Sequence, residues 1–130
     1  MLLPAACGNS DTASTDDIAE CGRIHFPARH TVVADNREDM FGGDRIVEII
    51  VDLAASDLTD FKSKSSLGSF ATGVPAYSRK HYWKGMPESS VLQNDAGNEY
   101  FEESDGSRER AVAIHQLDPE HIRIFARANC

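Results

Sequence analysis

The sequence predicts an α+β domain: a single antiparallel sheet of about five strands with two short helices on one face, in the order ββααβββ. Three observations carry this expectation. Residues 45–53 alternate as a strand should, with Val47, Ile49, Val51 and Leu53 pointing one way and Glu48 and Asp52 the other. Two further β-like runs, 110–117 and 121–127, are separated by Asp118-Pro119-Glu120, a composition that turns a chain. Between these β-rich ends, 57–83 carries helix punctuation instead. Strands grouped at the ends with helices between them indicate an α+β layering.

The first strand is expected over His30–Asp35, where Thr31, Val32 and Val33 are β-branched. A polar loop, 36–43, ends in Gly42-Gly43 and joins it to the 45–53 strand as a long-looped hairpin. Ile46 and Ile50 fall on the charged side of that strand, so its second side is at least half covered. Ser56 offers an N-cap to a helix over Asp57–Ser65, with Asp57 and Asp60 in the first turn and Lys62 and Lys64 near the last. Gly68–Pro75 reads as a loop. Pro75 then opens a second helix running to Trp83, which Gly85 and Pro87 stop. Tyr100–Glu103 is a short strand, and Asp105-Gly106 a turn into Arg110–Leu117. For the final hairpin, a three-residue loop opposes Ile114 to Ile124 and Val112 to Ala126, which unites the apolar sides. A two-residue loop would oppose Ile114 to Phe125 and split them. Register follows the buried face, so the first arrangement is expected.

Composition bounds the rest. With 41% hydrophobic and 26% charged residues the chain is a globular protein, and no run approaches the roughly 20 apolar residues of a spanning helix. The net charge is −8. Half of it sits in residues 8–21, where Asp11, Asp16, Asp17 and Glu20 meet no Lys or Arg. An acidic protein lacks the cations that displace counterions from polyanions, so nucleic acid is excluded as a partner.

The organisation follows from the amino terminus. Leu3-Pro4-Ala5-Ala6-Cys7-Gly8-Asn9-Ser10 resembles the lipobox of bacterial lipoproteins, with small residues before a cysteine and polar ones after it. That resemblance implies a lipid on Cys7 and an upstream start that supplies the missing basic and apolar parts of a signal. Residues 1–7 are then the remnant of a signal peptide, 8–21 a flexible acidic tether, and 22–130 the single folded domain. A weaker resemblance, through Phe61, Leu67-Gly68, Phe70, Gly73-Val74-Pro75 and Tyr82-Trp83, links the chain to small lipoproteins of high-GC Gram-positive bacteria, a family with no assigned activity to carry over. If Cys7 carries a lipid, Cys21 and Cys130 remain as an even pair that would tie the two ends of the domain together. Two unpaired thiols are the alternative.

Motifs for chemistry are scarce. No Cys or His pair has structural-zinc spacing, and His115 and His121 would share a face with Arg123, a poor neighbour for a cation. Asp35-Asn36-Arg37-Glu38-Asp39 places Met40 and Ile46 where a calcium loop needs Gly and Glu. The serines of 63–69 lack a nucleophile elbow, and Gly68–Gly73 is followed by Val74 where a phosphate loop needs Lys. No metal, cofactor or catalytic residue is assigned. The one suggestive segment is Arg79-Lys80-His81-Tyr82-Trp83-Lys84, three Lys/Arg cations beside two aromatics in an acidic protein, and Arg79, Lys80, Tyr82, Trp83 and Lys84 are the candidate binding surface. Against it stands a helix end whose cations complement the dipole while Tyr82 and Trp83 pack on the sheet. The expected function is a membrane-anchored, extracytoplasmic, non-enzymatic binding module of the cell envelope, its partner an envelope protein, a wall polymer or a small ligand. The alternative is a small envelope hydrolase using carboxylates that the sequence does not single out.

Overall fold

A computed structural model describes residues 15–130. One antiparallel sheet organises them, made of β1 (Thr31–Asp39), β2 (Arg45–Ala54), β3 (Ala71–Thr72), β4 (Asn98–Asp105), β5 (Arg108–Asp118) and β6 (His121–Asn129), in the spatial order β1-β2-β6-β5-β4-β3. The helices are α1 (Thr15–Gly22), α2 (Leu58–Lys64) and α3 (Ala76–His81). The expected α+β class and antiparallel sheet are observed. The sheet has six strands because Ala71-Thr72, expected as loop, pairs with Tyr100 and Glu99 at the edge of β4.

The central pairings follow the buried pattern. β2 lies between β1 and β6, with Val47 opposite Ala128, Ile49 opposite Ala126 and Val51 opposite Ile124. In the last hairpin Ile114 opposes Ile124 and Val112 opposes Ala126, the register expected from the apolar sides. The loop, however, is the two residues Pro119-Glu120 and not the expected three; a bulge at Leu117, where the register shifts between Gln116 and Asp118, restores that pairing. Between β4 and β5 the turn is Gly106-Ser107, where Gly106 takes φ +65 without the penalty of a Cβ.

Three expectations are corrected. First, the two central helices do not share a face. Phe61 of α2 packs with Val47, Ile49, Val112 and Ile124 on the first face, whereas Ser78 of α3 bonds Tyr100 on the second. Ile50, Tyr100, Ala111, Ala113 and Phe125 form a second apolar surface, and Trp83, Met86 and Leu92 cover it. A sheet apolar on both sides needs two covers, and burying the second surface favours this three-layered arrangement. Second, residues 15–21 of the expected tether belong to the folded domain. They form most of α1, with Ile18 fully buried and Cys21 nearly so; the rest of that tether, 8–14, lies outside the described residues. A Cβ on Gly22 would come within 2.7 Å of Ala128 Cβ, which shows how closely this helix approaches β6. Third, β1 extends through Asp39, into the segment expected to be loop. Its polar residues are tolerated because it is an edge strand, with Arg37 Nη1 3.5 Å from Asp17 Oδ2.

Smaller differences concern helix ends. Ser56 does not cap; a 3₁₀ turn over Ala55–Asp57 leads into α2, and α3 ends at His81, two residues before Trp83. Pro87 opens a 3₁₀ stretch through Gln93 rather than only stopping a helix.

Two interactions hold the first face. Cys21 and Cys130 form a disulfide with Cα atoms 5.4 Å apart, joining α1 to the residue after β6. Arg110, 5% exposed, sends Nη1 to the carbonyls of Gly22 (3.2 Å) and Ser65 (2.7 Å), Nη2 to that of Ser66 (2.8 Å), and Nε to Glu103 (2.9 Å). The carbonyl ends of α1 and α2 thus converge on one guanidinium, where helix dipoles favour a cation.

Replacing Arg110 with Lys keeps the charge but cannot supply a fork of donors to these carbonyls. We expect a loss of about 2–4 kcal/mol in denaturant titration; a loss below about 0.5 kcal/mol would show the carbonyls to be satisfied otherwise. Reduction of the disulfide removes a constraint on a loop of 109 residues, worth about 4–5 kcal/mol in chain entropy. The melting temperature should drop by many degrees on adding reductant, and an unchanged melt would refute the crosslink's role.

Candidate functional site

The segment singled out in the sequence divides between core and surface. Trp83 is fully buried on the second face, so it is a core residue and not part of a surface. Its backbone takes φ +55, a left-handed conformation that costs a bulky residue energy. Two bonds hold it there. The Trp83 N–H donates to Glu48 Oε2 at 2.7 Å, and the indole Nε1–H donates to the Ala126 carbonyl at 3.0 Å. Its ring meets Phe125 edge-on, with centroids 5.7 Å apart.

Glu48 is 7% exposed, and burial pushes its carboxyl above the ordinary glutamate value, partly offset by the Trp83 N–H and by Arg127. Arg127 Nε lies 3.4 Å from Glu48 Oε2 and forms no hydrogen bond among the described residues. The Arg127 guanidinium also stacks 4.1 Å from the centre of the Tyr82 ring, a cation–π contact. Beyond it, Tyr100 donates to Glu102 Oε1 at 2.8 Å and Tyr82 reaches Glu102 Oε2 at 3.4 Å, while Ser78 sits 2.8 Å from the Tyr100 hydroxyl. Burial raises the Tyr100 hydroxyl well above the usual tyrosine range, so it stays a donor. These groups run across the sheet because Glu48 opposes Arg127, Arg127 opposes Ala111, and Ala111 opposes Glu102.

Over this network lies an exposed cluster. Tyr77, 65% exposed, packs at a tilt against His81 with centroids 4.4 Å apart and meets Tyr82 edge-on at 6.0 Å. Lys80, His81 and Lys84 are exposed, Arg79 and Tyr82 half-buried. Arg79 Nη1 donates to the Gln93 carbonyl at 3.4 Å. So Lys80, Lys84 and the rim of Tyr82 remain as surface, and Tyr77 and His81 join them. The spacing Tyr77–His81, one helical turn, is the signal that could have added Tyr77.

A second polar row crosses the same face. Arg123 forms a two-pronged pair with Asp52, at 2.7 and 2.9 Å. Beside it His115 Nδ1 lies 2.8 Å from Asn98 Oδ1. Asn98 Nδ2 already donates to the Val91 and Asn94 carbonyls, so Oδ1 accepts and the His115 proton sits on Nδ1. Burial, then Arg123, lowers the His115 value, which keeps the ring neutral near pH 7. This row ties β2, β6, β5 and β4 together.

The remaining candidates are dispersed. His30 Nδ1 donates to the Pro27 carbonyl (2.6 Å), His121 pairs with Asp118 (2.9 Å), and the His25 N–H donates to Ser65 Oγ (2.8 Å). Glu102 and Glu103 point to opposite faces of β4, toward Tyr100 and Arg110 respectively, while Asp95 and Glu99 line a groove with Asn98 and Gln116. Among the described residues, no group of three His, Cys, Asp or Glu side chains could hold a metal ion. Cys7 lies outside the described residues. Comparison with protein-family models, with curated proteins and with solved structures finds no match.

Because the folded protein holds the Glu48 proton more tightly than the unfolded chain, its stabilising contribution is full below pH 4.5 and falls as pH rises through the raised value. Glu48→Gln removes that fall while keeping an acceptor for the Trp83 N–H. The difference in melting temperature, variant minus parent, should therefore grow between pH 4 and pH 7, measured at 0.5-unit steps. A difference that shrinks over this range would reverse the assignment.

Proposed function

We propose that the chain is a membrane-anchored, extracytoplasmic lipoprotein that acts as a non-enzymatic interaction module of the cell envelope. The observation that carries this reading is the Cys21–Cys130 disulfide. Such bonds persist in oxidising compartments outside the cytoplasm. With Cys21 and Cys130 joined, the remaining one of the three cysteines is Cys7, which follows Ala5-Ala6 and precedes a polar stretch in the manner of a lipobox. Among the described residues no helix is long and apolar enough to cross a membrane, so on this reading attachment is by lipid.

The contact surface of the module is the aromatic and basic cluster of Tyr77, His81, Lys80 and Lys84. Exposed tyrosine next to cations suits a partner with apolar and anionic parts, as an envelope protein, a wall polymer or a small ligand would offer. The groups beneath it serve structure: Glu48 holds Trp83, and Arg127 and Glu102 hold Tyr82.

Expressed in a bacterial host behind a lipoprotein signal peptide, the protein should incorporate labelled palmitate and partition into detergent. Cys7→Ser should abolish the label and release the protein from the membrane fraction. Retention of Cys7→Ser in that fraction, unlabelled, would overturn the lipid anchor.

A further inference from the structure

The β1–β2 hairpin ends in a feature that neither the sheet nor the aromatic cluster uses. Past the closing pair Asp39–Arg45, its tip exposes Met40 (43%) and, completely, Phe41. Gly42 and Gly43, with φ +97 and +96, bend the chain back, and the Met40 N–H donates to the Asp44 carbonyl at 2.6 Å. A large apolar side chain, Phe41, is thus held fully open on a hydrogen-bonded turn among the described residues, with Met40 partly exposed beside it. A tip of this shape and size does not supply the roughly 800 Å² per partner of a stable protein interface. It fits a soft apolar medium.

Its position says which. Arg45, the residue closing the hairpin, pairs with Glu20 and lies 3.9 Å from Asp17, both on α1, and exchanges backbone hydrogen bonds with Cys130. Arg37 reaches Asp17 from β1. α1 therefore lies against the end of the hairpin that carries this tip, through Asp17 and Glu20, and Thr15, which opens the helix, is two residues before Asp17. Cys7 stands eight residue steps before Thr15, at most about 28 Å of extended chain. A lipid on Cys7 would confine this end of the domain to within that distance of the bilayer.

We infer that the Met40-Phe41 tip is a second membrane contact, inserting into the interfacial region of the bilayer when the chain is anchored through Cys7. The inference rests on the anchored reading above. Burying one Phe at the interface adds to the hold of the lipid, and the anchor makes its insertion an event at high effective concentration.

The test attaches the full chain through the Cys7 thiol to a maleimide phospholipid in phosphatidylcholine vesicles, so that it does not depend on lipidation in a cell. Phe41→Trp serves as the probe; Trp83 is fully buried and contributes a constant background. On vesicles, the Phe41→Trp emission should shift to shorter wavelength and be quenched about twofold by lipids brominated near the glycerol, with the parent protein unaffected. Met40→Ser with Phe41→Ser should dissociate about tenfold faster than the parent when the coupled anchor is a single short acyl chain. Probe emission that is unchanged and unquenched on these vesicles would overturn the inference, as would a shift seen only with vesicles that carry envelope proteins, since that occupant is a protein. Failure of palmitate labelling in cells, with the vesicle result intact, would instead refute the anchored reading alone.

Discussion

The first face of the sheet depends on a buried cation. Arg110 sits on β5 where the carbonyl ends of α1 and α2 meet, and its hydrogen bonds go to backbone oxygens of Gly22, Ser65 and Ser66 besides the Glu103 carboxylate. These carbonyls have no partner within their own helices and would be costly to bury bare. The guanidinium satisfies both helix ends at once, which fixes where the helices stop and how they lie on the strands. The apolar contacts of Ile18 and Phe61 then have only one way to close. On the opposite face a buried carboxyl group plays the corresponding part: Glu48 holds Trp83 in its left-handed conformation, and Trp83 covers Phe125.

The pieces of the fold that could be read in the sequence are those in which apolar periodicity and burial coincide. The alternation of Val47 to Leu53 and the opposition of Ile114 to Ile124 are of this kind, since a one-residue slip would expose a whole apolar row. α1 was hidden because Ile18 and Cys21 are its only large apolar contacts in eight acidic and small residues. The second cover was hidden for a different reason. Ala111 and Ala113 make a weak hydrophobic signal, yet their small side chains leave the room that the aromatic groups above them fill.

The candidate site was legible in part. Its cations and aromatics stood out by composition, but composition does not say which ring turns inward. The outcome was decided by Glu48 and Arg127, 79 residues apart in number and directly opposed in the sheet. Neither belongs to a motif; each acquires its role from strand register. Tyr77 emerges as the exposed aromatic because Trp83 has gone to the core and Tyr82 is held between Arg127 and Glu102.

The disulfide also changes how far apart the strands are before the sheet exists. β2 must find β6, and the residues that begin and end this pairing region, Arg45 and Cys130, are about 85 residues apart along the chain. Through the Cys21–Cys130 bond the covalent path shrinks to about 25 residues. Loop closure scales with the logarithm of length, so this shortcut lowers the entropic barrier to the central pairing by about 1 kcal/mol. An oxidised chain should therefore nucleate its sheet several-fold faster than a reduced one, because the paired strands farthest apart in sequence begin the search on a shorter covalent path.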